Sequence, residues 1–117
     1  MATKEQCDFF HENGYLSLDQ LASSEEVAAL KSLFEEMFQN KIGREQGLQF
    51  DMSGTDEEGQ VARLPQIINP SKLQPRLRKS VFHENAHAIA RQILGPEAEF
   101  VFDHALLKPA FYGDPTP

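Results

Sequence analysis

Two imidazoles one helical turn apart are the most conspicuous chemistry in the chain. His83-Glu84-Asn85-Ala86-His87 has His-Glu-x-x-His spacing within a segment of helical periodicity. Residues four apart share a helix face, so both rings could bind one zinc ion while the Glu activates a metal-bound water. That chemistry needs a third ligand. No glycine follows His87 where the longer form of the pattern turns toward one, and only folding could bring Asp103 or His104 there. Phe82, Ala86, Ile89, Ala90 and Ile93 form an apolar stripe with both histidines at its edge, a common place for amphipathic rings. Two readings stand: a minimal zinc hydrolase on His83, Glu84 and His87, or a structural helix with boundary histidines. The stripe favours the second.

The helix carrying this pair is expected from about Ser80 to Leu94, closed by Gly95-Pro96. Upstream, Thr3 through Asn13 reads as a short helix capped by Thr3, with Phe9 and Phe10 inward and Asn13-Gly14 as its stop. Tyr15 to Leu18 is long enough only for a short strand or an extended link. Ser23 and Glu26 have capping-box spacing, and Val27, Leu30, Phe34, Met37 and Phe38 follow as the stripe of a long helix. From Lys41 to Gln60, glycines and acids predict a long polar loop or loose hairpin of the kind that often faces a substrate. Val61 to Ile68 is expected to run extended, and Pro70 and Pro75 bracket a short helical turn. Glu99 to Lys108 alternates as a strand, with Phe100, Phe102, His104, Leu106 and Lys108 on one face, read here as the inward one. The turn-rich tail Pro109–Pro117 follows.

A chain of 117 residues that is 40% hydrophobic can build one small domain or a piece of a larger one. Its net charge of −7 argues against nucleic-acid partners, and Arg76, Arg78 and Lys79 are too few to reverse that. No apolar run approaches the roughly 18 residues of a membrane span, and the N-terminus has no signal-peptide pattern. Cys7 is the only cysteine, so no intrachain disulfide forms. A cytoplasmic protein without membrane or nucleic-acid partners is the expectation.

A second constellation spreads along the whole chain. Phe10-His11-Glu12-Asn13-Gly14-Tyr15-Leu16 leads into Leu21-Ala22-Ser23 and the long helix; Arg63-Leu64-Pro65-Gln66-Ile67-Ile68-Asn69-Pro70 lies in the middle. Phe102-Asp103-His104-Ala105-Leu106-Leu107-Lys108-Pro109-Ala110, then Gly113 and Pro115-Thr116-Pro117, closes the chain. Together these segments resemble the phytanoyl-CoA dioxygenase family, and the closing motif is the most specific part. The resemblance implies an α+β chain: the N-terminal helices and first strands of a double-stranded β-helix (a cupin-like jelly roll), forming residues 1–117 of one domain. It implies Fe(II) and 2-oxoglutarate as cofactors of the complete domain and a small-molecule substrate to be hydroxylated. That chemistry uses two His and one carboxylate on one face of iron.

The departure from the family lies at the end. No His-x-Asp or His-x-Glu occurs after Lys108, where the family carries its iron ligands, so the expectation is a chain truncated before its metal site, binding no cofactor tightly. By position, the resemblance makes Arg63 a co-substrate contact, with a surface arginine as the plain alternative. It sets His104 beside 2-oxoglutarate, or as a core histidine, and Lys108 on the same face, or as a strand-end lysine reaching water. Gln66 and Asn69 would, more weakly, add amide contacts. A strand without its partners also implies possible self-association. A non-catalytic helical interaction domain, docking through the helix after Ser23, is the remaining alternative.

Overall fold

Local capping starts each long helix. Helix α1 (Lys4–Asn13) opens where Thr3 Oγ1 accepts the Gln6 N–H (3.2 Å) and the Gln6 side chain accepts the Thr3 N–H (2.8 Å). It closes on Gly14, whose φ of 81° is left-handed and whose N–H reaches the Phe10 carbonyl at 2.7 Å. The same reciprocal device, Ser23 with Glu26 at 2.8 and 3.2 Å, opens α2 (Ser24–Gln39). Ser80 caps α4 (Val81–Leu94) through the His83 N–H, and Gly95 ends it. Between α2 and α4 come β1 (Gln49–Asp51), β2 (Pro65–Ile68), the one-turn α3 (Pro70–Leu73) and a 3-10 turn (Pro75–Lys79); β3 (His104–Leu106) follows α4. The structure, a computed structural model, describes residues 1–51 and 64–110. Arg63 and the tail from Phe111 lie outside the described residues.

The chain divides into two compact units. The first comprises Met1–Leu30 and Arg76–Val101. In it α1 packs on α4, the Gln92 amide accepts from the Ala2 N–H (3.0 Å) and donates to the Ala2 carbonyl (2.6 Å), and Asn85 donates to the Leu21 carbonyl (2.7 Å). Ala2, Leu77 and Ile89 are its buried apolar residues. The α1 expectation needs one correction: Phe9 is exposed and meets Tyr15 edge-on instead of entering a core. Val27 and Phe82, at the starts of the α2 and α4 stripes, are likewise exposed.

The second unit, Lys31–Pro75 with the chain from Phe102, holds the sheet. Its three antiparallel strands run in the order β1-β2-β3, with Gln49 opposite Ile67 and Ile67 opposite Ala105. Directly opposed residues share a face, so Gln49, Asp51, Ile67 and Ala105 lie on one side and Phe50, Gln66, Ile68, His104 and Leu106 on the other. Met37, Leu64, Ile67 and Pro70 are the buried apolar side chains. Fully burying a side chain of the size of Ile67 contributes roughly 1.5–3 kcal/mol.

The long polar segment from Lys41 takes the loose-hairpin form, with β1 pairing antiparallel to β2. Gln49 is buried there to serve backbone groups: its amide donates to the Met37 (3.1 Å) and Ile42 (2.8 Å) carbonyls. Of the two forms expected for Tyr15 to Leu18, the structure has the link, in the other unit. One expectation is corrected in the sheet: the alternation at the last strand is real, but its phase is reversed. Phe102, His104 and Leu106 are exposed, and Asp103 and Ala105 are the half-buried positions. Gly43, at φ 84°, brings the chain against α3: a Cβ there would stand 2.6 Å from the Leu73 Cδ1.

Candidate functional site

Of the five residues that the resemblance assigns to the co-substrate, Arg63 lies outside the described residues, and the structure brings Gln66 and His104 into contact. Gln66 sits in the middle of β2, nearly enclosed, and its amide oxygen receives a hydrogen bond from His104 Nε2 on the neighbouring strand. The register explains the meeting: Gln66 is opposite Leu106 and Ile68 is opposite His104, so the two side chains are diagonal neighbours on one face. With Nε2 carrying the proton, neutral His104 presents an acceptor at Nδ1; only the imidazolium donates from both nitrogens. His104 is exposed, so its ring remains available to a ligand.

Lys108 is exposed two residues beyond Leu106, just past the last ladder bond, in which the Leu107 N–H reaches the Pro65 carbonyl at 3.0 Å. Asn69 meets Asp103 through both backbone and side chain: its N–H donates to the Asp103 carbonyl at 2.9 Å and its Oδ1 accepts the Asp103 N–H at 3.5 Å. Asp103 itself, weighed in the sequence only as a zinc ligand, has a structural role there. Its carboxylate accepts the Ser71 N–H (3.2 Å) and the Ser71 hydroxyl (3.1 Å), which ties β3 to the start of α3. The sequence signal is slight, a lone acid between two apolar residues of an alternating run.

The histidine pair on α4 has different surroundings. His83 and His87 are half-buried with ring centroids 6.2 Å apart, and His83 meets Phe100 edge-on at 5.0 Å. The Arg78 guanidinium lies 4.8 Å from the centroid of that same Phe100 ring, so Phe100 packs between an imidazole and a guanidinium. His87 Nε2 is buried without a hydrogen-bond partner. Among the described residues no three His, Cys, Asp or Glu side chains gather to hold a metal ion. Replacing His83 and His87 together by Gln is expected to leave zinc content unchanged and to shift stability by no more than about 1 kcal/mol. Plasma emission spectrometry and chemical denaturation check both; loss of a stoichiometric zinc would restore the hydrolase reading.

The chain is α+β, with a three-stranded antiparallel sheet and a polar pair that bridges β2 and β3. Residues 10–117 match the family model of phytanoyl-CoA dioxygenase (PhyH), and the chain belongs to that family. No curated protein and no solved structure matches it. At the level of the family, the function is that of an Fe(II)/2-oxoglutarate-dependent oxygenase. The iron does not fit the described residues: the metal-ligating trio is absent among them, and no His-x-Asp or His-x-Glu occurs anywhere in the sequence. His104 on β3 and Lys108 just past it are both exposed. No described helix is long and apolar enough to cross a membrane.

Proposed function

We propose that this chain supplies the co-substrate-facing wall of an Fe(II)/2-oxoglutarate-dependent oxygenase that hydroxylates a small molecule on a double-stranded β-helix. The family match over residues 10–117 carries the reading. The hydrogen-bonded Gln66–His104 pair, with Lys108 two residues past Leu106, supports the placement of 2-oxoglutarate.

In this role His104 and Lys108 would receive a carboxylate of the keto acid, and Gln66 would fix the imidazole by holding its Nε2 proton. Lys108 brings a permanent positive charge, whereas His104 becomes a two-sided donor only as imidazolium. Arg63 would add a second cation in this role, although it lies outside the described residues. No step through iron is assigned to the described residues, and turnover by the 117-residue chain alone is not expected.

Binding of 2-oxoglutarate in metal-free buffer, followed calorimetrically, tests the co-substrate wall. Lys108→Ala and His104→Ala should each weaken binding roughly threefold to tenfold, the range for one exposed charge-assisted hydrogen bond. Affinity unchanged in both variants would remove these residues from the co-substrate site. Anaerobic titration with Fe(II) should give no stoichiometric tight binding. Iron-dependent release of succinate by the chain would overturn the reading that the described residues hold no iron.

A further inference from the structure

The charge that His104 can carry outward is tied to the way Gln66 holds its ring. The Gln66 amide oxygen meets His104 Nε2, and an amide oxygen only accepts, so Nε2 bears a proton whether the ring is neutral or charged. Gln66 is 2% exposed and stands opposite Leu106 in the ladder, which fixes the acceptor from which the ring hangs. The second nitrogen, Nδ1, has no hydrogen-bond partner among the described residues, on a side chain that is itself exposed. Neutral His104 therefore turns a lone pair outward, and only the imidazolium turns an N–H outward. The surroundings leave that choice to a ligand. β2, the strand packed against β3, brings no ionisable side chain between Pro65 and Ile68. Phe102 stands beside the ring, with centroids 6.1 Å apart. Asp103 lies on the opposite face, where its carboxylate serves Ser71. Lys108, exposed past the end of the strand, is a cation like the imidazolium itself. None of these groups is an anion facing the ring.

Resting on the reading that 2-oxoglutarate lies against His104 and Lys108, we propose that its binding takes up a proton, which comes to lie on His104 Nδ1. A carboxylate against a neutral Nδ1 sets two lone pairs face to face; against the imidazolium it gains a charge-assisted hydrogen bond. Carboxylates are ionised near neutral pH, so the proton comes from solvent: the N–H bond at Nδ1 forms, the buffer acid loses its proton, and no other bond changes. Imidazole is the side chain whose ordinary titration falls in the physiological range, so the coupling acts there. Its sign is fixed. Protonation and the keto acid favour each other, so affinity is greatest at low pH and falls as pH rises, by at most about tenfold per pH unit for one proton. Lys108 offers the same charge throughout and sustains the affinity that remains. Gln66 is then a positioning residue: it touches the ring, and the proton count is what it governs.

Calorimetric titration of the 117-residue chain with 2-oxoglutarate, in metal-free buffers of different ionisation enthalpy, counts the protons. At about pH 7.5, about half to one proton per keto acid bound is expected, and the dissociation constant should rise from about pH 6 to about pH 8.5. His104→Gln keeps a neutral donor in the ring's place and should bind with neither proton uptake nor pH dependence over that range. Gln66→Leu frees the neutral ring to carry its proton on Nδ1, so uptake should fall by at least about half while binding persists. Nitrogen chemical shifts of the isotope-labelled, ligand-free chain at about pH 8.5 should show His104 protonated at Nε2 and bare at Nδ1, a measurement that needs no variant to fold. Binding without proton uptake, uptake that survives in a folded His104→Gln chain, or a ligand-free ring protonated at Nδ1 would each overturn the coupling and leave the co-substrate wall standing. Absence of binding at every pH would remove the wall and the coupling together.

Discussion

Replacing Ile67 by Ala should lower the unfolding free energy by about 2–5 kcal/mol, enough to take the sheet-bearing unit to the edge of folding. Ile67 has 0% exposure, and it lies on the central strand between Gln49 and Ala105, so both neighbouring strands lean on it. Three methylene-sized groups removed there leave a cavity that short strands, already fixed by hydrogen bonds, cannot collapse to fill. Far-ultraviolet circular dichroism in urea is the measurement, since the chain has no tryptophan to report by fluorescence. Leu94→Ala is the control: at 63% exposure it should move the midpoint little. An Ile67→Ala variant within 1 kcal/mol of the parent would mean that the core lies elsewhere.

Phe102 sharpens the same test, because composition ranks it with Ile67 and the structure does not. The alternating run from Glu99 invites the assumption that its aromatic and aliphatic members face a core. They face outward at Phe102 and Leu106, and the inward position at Asp103 is taken by a carboxylate that satisfies buried donors of Ser71. β1 was illegible for the same reason. Gln49 and Asp51 are buried polar residues, Gln49 held by the Met37 carbonyl of α2 and the Ile42 carbonyl after it, and Asp51 accepting the Leu64 N–H at 3.0 Å. Hydrophobic periodicity cannot report a strand whose inward side chains are there to complete hydrogen bonds.

What was legible is local. The caps at Thr3, Ser23 and Ser80 and the stop at Gly14 depend on residues within one turn of each other, so their spacing in the sequence is their geometry. The Gln66–His104 contact bridges 38 positions, and the residues themselves carry no mark of it. Both had been named through family resemblance, which supplies a register that single-sequence physics cannot. Asp103 had no such help in the co-substrate reading, although it is the group that fixes His104's strand against the turn before α3.

Asp103→Ala should therefore cost about 2–4 kcal/mol, more than an exposed acid of ordinary surroundings ever does. Ser71 is 2% exposed, and both its N–H and its hydroxyl end on the Asp103 carboxylate. Truncation leaves two buried donors without an acceptor. Asn69 cannot take over: it occupies the N-cap place of α3, but its backbone is left-handed (φ 51°, ψ 52°) and its side chain makes no cap bond. Asp103 thus caps α3 from another strand. Asp103→Asn keeps one amide oxygen and should recover part of the loss, whereas Ser71→Ala removes only the hydroxyl and should cost about 1 kcal/mol. In a double-mutant cycle, the Asp103→Ala and Ser71→Ala effects should be less than additive by about 0.5–3 kcal/mol. The site should register the same change, because the segment freed by Asp103→Ala carries His104: 2-oxoglutarate binding should weaken even under conditions where the variant is fully folded, and the His104 ring resonances should shift. Full additivity of the two substitutions would show that the Ser71–Asp103 contact holds nothing. Intact co-substrate binding in a folded Asp103→Ala chain would separate the anchoring of β3 from the placement of His104.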